Sequence, residues 1–382
     1  MSVWDELTGQ PEAIAVFRAA VGDGVAARSE AAMTHSWLIT GPPGSGRSNL
    51  AYAFATALLS PGNLDGDEST RRQVAARTHP DLSVLSTEGV IIKMEDVRKL
   101  VVSSNFSPSV SRYRVIIIED ADRMVERTSN VLLKALEEPP PRTVWILCAP
   151  SEADLLPTIR SRVRSVRLRM PDIAEVASLV SRRDGVDLAT ATRAARESQS
   201  HIGMAHRLAT NEDARRRRHL TIETALGIRS VSSAVMAAAR LVELAGEDAK
   251  SITEQRDSEE RESALRSLGI EPGGTIPVAL RSQLKTLEED QKRRATRSLR
   301  DGIDRIMVDL LSLYRDILLQ QLKVESEPIN LAILEQLTAA SQASSPEATL
   351  KTLDAIAVAR KRIDGNVPPA LALEAMLISA IR

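Results

Sequence analysis

The sequence predicts a parallel α/β domain built around a phosphate loop, then a small helical domain, then an all-α domain. Three observations carry this reading. A strand-like run ending at Thr40 leads into Gly41-Pro42-Pro43-Gly44-Ser45-Gly46-Arg47-Ser48, and a helix-like run follows. Strand and helix patterns alternate over the first ~170 residues, as a parallel sheet with crossover helices requires. Beyond Met170-Pro171-Asp172 strand signals vanish and helical periodicity takes over.

Five strands are predicted: Trp37–Thr40, Leu82–Leu85, Arg114–Ile118, Val144–Cys148 and Val163–Leu168. Three of them are nearly continuous apolar runs, the pattern of strands covered by helices on both faces. The helix after the loop, Ser48–Leu59, puts Leu50, Phe54 and Leu58 on one face. A helix over Ser129–Glu138 carries Leu132, Leu133 and Leu136 and is stopped by Pro139-Pro140-Pro141. The Met170–Asp172 break and the patterns after it divide the chain into domains over 1–170, 171–214 and 215–382. In the last, Leu299, Ile303, Ile306, Leu310, Leu313 and Ile317 alternate spacings of four and three, one face of a long helix. The charge-dense Glu247–Glu262 stretch reads as an exposed helix or a mobile insertion.

Composition narrows the function. Hydrophobic residues make up 43% of 382 and aromatics only 2%, so the cores are expected to be aliphatic and helix-rich. A net charge of -1 argues against a globally basic nucleic-acid binder. Two basic clusters, Arg215–Arg218 and Lys292-Arg293-Arg294 with Arg297 and Arg300, read as solvated helix faces. The second has Glu288, Glu289 and Asp290 beside it; contact with a DNA backbone is the other reading of both. Cys148 is the sole cysteine, which excludes an internal disulfide or a cysteine-rich zinc site, and its apolar run predicts an inert buried thiol. With no secretory signal and no run of membrane-spanning length, a cytoplasmic protein without a membrane partner is expected.

Three motifs carry chemistry. A phosphate loop wraps a triphosphate in backbone N–H groups and sends a lysine ammonium to the β- and γ-phosphates. Here Arg47 substitutes a planar fork for that ammonium, while Ser48 remains a candidate Mg²⁺ ligand. The second motif is the buried run Val115–Ile118 ending in Glu119-Asp120-Ala121-Asp122. Such a pair usually runs aspartate then glutamate, one for the metal and one for the attacking water. The reversed order lengthens one arm and shortens the other, where about 1 Å of misplacement costs ~100-fold. Gly41, Gly44, Gly46, Arg47, Ser48, Glu119 and Asp120 thus make a degenerate nucleotide site, with ATP or ADP binding left open. The third motif, Leu155–Val163, carries Arg162 just before the last strand. An arginine there either serves a neighbouring protomer's γ-phosphate or makes a surface ion pair, and the residues alone favour the ion pair.

These elements in this order, with Leu132-Leu133-Lys134-Ala135-Leu136-Glu137-Glu138-Pro139-Pro140 between the second and third, resemble the clamp-loader subunits of bacterial DNA polymerase III, members of the AAA+ ATPases. Trp4-Asp5-Glu6-Leu7-Thr8-Gly9-Gln10, Thr78-His79-Pro80-Asp81 and Ser111-Arg112-Tyr113-Arg114-Val115 are similar to further motifs of that family. The likeness covers about residues 1–210; the remainder fits as a helical domain, and its length and its Lys292–Arg300 region look like the actinobacterial members. The resemblance implies an AAA+ P-loop domain, a helical lid and a C-terminal oligomerisation collar.

In that family the motor subunits, gamma and tau, keep the lysine loop and the Asp-Glu pair. Delta-prime subunits commonly have these motifs degraded but keep a Ser-Arg-Cys motif whose arginine completes the neighbouring ATP site. Arg47, the Glu119-Asp120 order and Ser161-Arg162, with Val163 replacing the cysteine, resemble the delta-prime pattern. That resemblance implies an arginine finger at Arg162 acting in trans. It also implies a scaffold in a hetero-pentamer with motor and delta subunits, reaching the sliding clamp and primer-template DNA through the complex. ATPase activity of its own is then expected to be weak or absent. A working motor-type ATPase and a DNA-binding protein without ATPase activity are the alternatives. Three departures from the family stand out. No cysteine lies between Ser60 and Asp81, where the family holds zinc, so no zinc or other metal is predicted. Gly203-Met204-Ala205-His206, followed by Arg207, replaces a Gly-x-x-Arg sensor, and Ala149-Pro150-Ser151 leaves only Ser151 as a polar sensor.

Overall fold

Five short strands, β1 (Ser36–Thr40), β2 (Leu82–Leu85), β3 (Arg114–Ile118), β4 (Thr143–Ala149) and β5 (Arg164–Arg167), pair in parallel in the order β2-β3-β4-β1-β5, with β-branched residues densest in β3. The computed structural model describes residues 2–5, 7–22, 33–60, 62–63, 65–87, 91–267 and 281–381; within these, the side chains of 252, 255–256, 259–267, 281–287 and 290 are not described. Glu6 of the opening motif and the Asp290 side chain therefore lie outside the described residues. The chain divides into two units, Met1–Thr210 and Asn211–Arg382.

In the first unit, alternation along each strand sends side chains to two cores. Trp37, Ile39, Val115, Ile117, Val144, Ile146 and Cys148 pack with α1 (Pro11–Val21) and α2 (Arg47–Leu59). Leu38, Ile116, Ile118, Trp145 and Leu147 pack on the other face with α4 (Met94–Ser104) and α5 (Glu126–Glu137). The short α3 (Glu68–Ala75), N-capped by the Asp67 carboxylate, fills the segment between α2 and β2. Helix α2 is buried well beyond the predicted stripe of Leu50, Phe54 and Leu58, because four alanines let it settle deep against the sheet. The cores are also less purely aliphatic than composition implied. Phe17, Trp37 and Phe54 gather their rings at centroid distances of 4.4–5.5 Å. After β5, a three-helix bundle of α7 (Ile173–Asp184), α8 (Leu188–Glu197) and α9 (Ile202–Thr210) completes this unit.

Predicted ends move by one to three residues. Helix α5 starts at Glu126, where an acidic first turn suits the positive end of the helix dipole. Strand β5 is shortened to the four residues that pair with β1.

The second unit is helical: α10 (Glu212–Leu226), α11 (Val231–Ser267), α12 (Arg281–Gln321), α13 (Leu334–Ala343), α14 (Pro346–Asp364) and α15 (Pro369–Ile378). Of the predicted stripe, Ile303, Ile306, Leu310, Leu313 and Ile317 are in its core with Leu241 and Leu244 of α11, and Leu299 is partly buried against it. Glu247–Glu262 continues α11 as helix. Among the described residues no helix is long and apolar enough to cross a membrane.

The basic clusters are solvated only in part: Arg216, Lys292 and Arg293 are exposed as expected, whereas other members turn inward to acids. Arg217 and Arg305 both close on Asp248, at 2.9 and 2.6 Å. Arg218 is 9% exposed, reaching Asp309 at 3.1 Å and donating to the Asn330 Oδ1 at 2.6 Å. Arg294 pairs with Asp257 at 2.7 Å and is equally buried. These acids stand 31 to 91 residues away along the chain, beyond any helical spacing.

Helices α11 and α12 pack tightly at Gly302, where an added Cβ would stand 3.0 Å from the Ala245 carbonyl oxygen. Gly302→Leu should wedge the pair apart and cost about 1–3 kcal/mol, read as a lower urea midpoint.

Candidate functional site

Parallel strands bring their C-terminal ends to one edge of the sheet. The loop Gly41–Gly46 leaves β1 there, Glu119 and Asp120 leave β3, and Pro150 leaves β4 between them. The Gly41 N–H donates to the Pro150 carbonyl at 3.2 Å, tying the loop to the strand between. Gly44 and Gly46 hold φ of 82° and 93°, a left-handed backbone that glycine adopts without strain. The predicted nucleotide-site residues therefore gather at this edge, with Ser48 in the first turn of α2.

Their charges are engaged within the chain. Arg47 folds back, its Nη1 donating to the Gly41 carbonyl at 2.6 Å. The Glu119 carboxylate, its side chain only 14% exposed, accepts from the Tyr52 hydroxyl at 2.7 Å and meets Arg77 Nη2 at 3.2 Å. Burial, then the bond to Glu119, pushes the Tyr52 pKa up, so the phenol remains a neutral donor. Burial also raises the Asp122 carboxyl, and the charge of Asp120 adds to it. Cys148, at the end of β4, is pushed up to about 12 by burial and is a free thiol with no exposed reactivity.

The helical bundle closes onto the loop. A Cβ on Gly44 would collide with the His201 ring, and the Ile202 N–H donates to the Gly44 carbonyl at 3.2 Å. Buried Gln10 bridges further: its Nε2 donates to the Arg169 carbonyl at 2.7 Å and more weakly to that of Ser45, while its Oε1 accepts from the Arg169 N–H. The expected sensor positions are occupied otherwise. His206 lies 2.7 Å from Asp184 at the end of α7. Ser151 caps a 3₁₀ turn over Glu152–Asp154 with its hydroxyl, and its N–H donates to Asp154. A bound Mg²⁺–triphosphate needs a forward cation, an open carboxylate and a clear loop. Here Arg47 is turned back, the Glu119 carboxylate is tied and the His201 ring packs on Gly44, so these residues do not fit that group.

Arg162 stands elsewhere. It follows α6 (Pro157–Arg160) and precedes β5, whose Arg164 lies beside Trp37 near the start of β1. It is thus at the N-terminal edge of the sheet, a strand length or roughly 13 Å from the chain's own loop. Its guanidinium contacts the Glu137 carboxylate, the Thr158 carbonyl at 2.6 Å and the Ser161 hydroxyl at 3.1 Å. Among the described residues no cluster of His, Cys, Asp and Glu could hold a metal ion.

Sequence reading missed Tyr52, Arg77, His201 and Glu137. Tyr52 lies one helical turn beyond Ser48 and Glu137 sits inside the Leu132–Pro140 phrase, so both had a faint signal; Arg77 and His201 had none.

A family model described as "DNA polymerase III, delta subunit" matches residues 21–172. DNA polymerase III subunit delta' of Pseudomonas aeruginosa is 34% identical over 146 residues, 37% of this chain and 44% of that protein. The delta' subunit of Bacillus subtilis is 30% identical over 137 residues, 35% and 42% of the two chains. DNA polymerase III subunit gamma of Buchnera aphidicola is 29% identical over 140 residues, 36% and 38%. The chain spans less than half the length of these curated relatives. A solved DNA polymerase III gamma subunit-related protein from Thermotoga maritima superposes at TM-score 0.39 and 17% identity, covering 90% of this chain and 92% of that one.

Proposed function

We propose that this chain, whose residues 21–172 match DNA polymerase III delta-type clamp-loader proteins, is the delta-prime-like member of a clamp loader. In this reading the AAA+ domain and its helical lid form a fixed scaffold. The helical unit joins a ring with gamma/tau motor and delta subunits. Arg162 completes the ATP site of the neighbouring motor subunit while the ring opens a sliding clamp and sets it on primed DNA.

One observation carries the proposal: Arg162 lies at the sheet edge opposite the chain's own phosphate loop. An arginine at that edge has no nucleotide of its own to act on, and a trans-acting arginine is worth about 10³–10⁵ in rate. The engaged Arg47 and Glu119 count against a working ATPase. The in-chain pairs of Arg217, Arg218 and Arg294 count against a DNA-binding face there.

The test is reconstitution. The pure chain is expected to turn over no Mg-ATP above buffer. Added to motor and delta subunits with primed DNA, it should enter the complex and raise DNA-stimulated turnover. Turnover by the pure chain, or an indifferent response of the complex, overturns the reading.

A further inference from the structure

The Leu132–Pro140 phrase has no role in the reading above, yet its Glu137 touches Arg162. We infer that Glu137 is a positioning residue for Arg162, holding the guanidinium in the orientation it presents to a neighbouring protomer's nucleotide. The inference deepens the proposed function and rests on it.

Both residues stand on rigid supports. Glu137 is the last residue of α5, directly after Leu136, which is 4% exposed. Arg162 comes three residues after Ile159, which is fully buried. The guanidinium has five N–H donors. Contacts to Glu137 use Nε and one hydrogen on Nη2, and Nη1 serves the Thr158 carbonyl and the Ser161 hydroxyl. One Nη2 hydrogen is left for an acceptor outside the chain. A long side chain held this way loses less rotamer freedom when it meets a phosphate than a free one does. The pair is also partly solvated, with side chains 31% and 46% exposed, so it orients the arginine without sequestering it. Glu137 comes from 25 residues earlier in the chain, which gives the phrase between the acidic pair and the arginine a physical task.

The experiment compares Glu137→Ala, Glu137→Gln, Arg162→Ala and the double variant Glu137→Ala/Arg162→Ala in the assembled loader. The readouts are assembly by size exclusion and DNA-stimulated ATP turnover. Glu137→Ala should assemble normally and lower kcat by about three- to tenfold at unchanged KM for ATP. Glu137→Gln keeps an acceptor oxygen and should recover most of the loss. In the Arg162→Ala background, Glu137→Ala should have no further effect. If Arg162→Ala slows turnover while Glu137→Ala leaves it equal or faster, the inference falls and the proposed function stands. Additive losses in the double variant, or failed assembly of Glu137→Ala, mark a merely structural role and also overturn it. An Arg162→Ala complex with normal turnover sinks both.

Discussion

On the proposed function, replacing Arg162 with alanine in the assembled loader is expected to cut ATP turnover by roughly 10³-fold at the neighbouring site. Stability of the chain should barely change. The side chain is 31% exposed and its partner Glu137 is 46% exposed, and a surface pair of that kind is worth about 0–1 kcal/mol. A large kinetic effect with a negligible thermal shift is what separates a transition-state contact from a packing contact. The measurement is steady-state turnover at saturating ATP and primed DNA, beside a thermal melt of the variant chain alone. Arg162→Lys should recover only part of the rate, because a point charge cannot reproduce the planar fork. Full turnover by a complex that has incorporated Arg162→Ala would remove the reason for assigning this residue a role in trans.

What could be read in the sequence divides by distance along the chain. The strands were legible because Val115–Ile118 and Val144–Cys148 are apolar on both faces, a property of each run by itself. The loop and the acidic pair were legible because parallel strands bring their ends to one edge, so Gly41 and Glu119 had to approach. The state of the site was not legible. Tyr52 and Arg77 reach Glu119 across 67 and 42 residues, and His201 meets Gly44 through a bundle that begins after the last strand. The inward-turned members of the basic clusters were missed for the same reason. A helical window offers acids three or four residues away, whereas the acids that engage Arg217, Arg218 and Arg294 come from α11 and α12. For Arg162, the residue-level reading of an ion pair and the family-level reading of a finger need not compete. The pair with Glu137 is present, and it still leaves one Nη2 hydrogen of the guanidinium for a phosphate.

Asp81→Ala should give the largest loss of stability. The carboxylate is fully buried, accepts from the N–H groups of Ser109, Val110 and Ser111 at 2.6–2.8 Å, and faces Arg114 at 3.4 Å. Removing it leaves a guanidinium only 11% exposed without its acid and the N–H groups of one loop without an acceptor. Breaking a buried pair from one side costs about 3–5 kcal/mol. In a unit of this size that corresponds to a melting-temperature drop of roughly 10 °C. Acid should mimic the substitution. Burial raises the Asp81 carboxyl, but the N–H groups of Ser111, Ser109 and Val110 outweigh it, so its pKa lies below the ordinary aspartate range. A depressed folded-state value means that its stabilisation is complete above the unfolded value of about 3.9 and fades as pH falls through the folded one. Denaturant midpoints measured from pH 6 downward should therefore decline below about pH 4 in the native chain. In Asp81→Asn this part of the decline should be missing, from an already lower start. Asp81 anchors the corner where β2 and β3 begin, three strands beyond β3 from Arg162 in the sheet order. The folded variant, assayed well below its melting point inside the loader, should therefore keep its contribution to turnover. Loss of turnover without loss of stability at Asp81 would mean that this corner serves the reaction, contrary to the purely structural role argued for it.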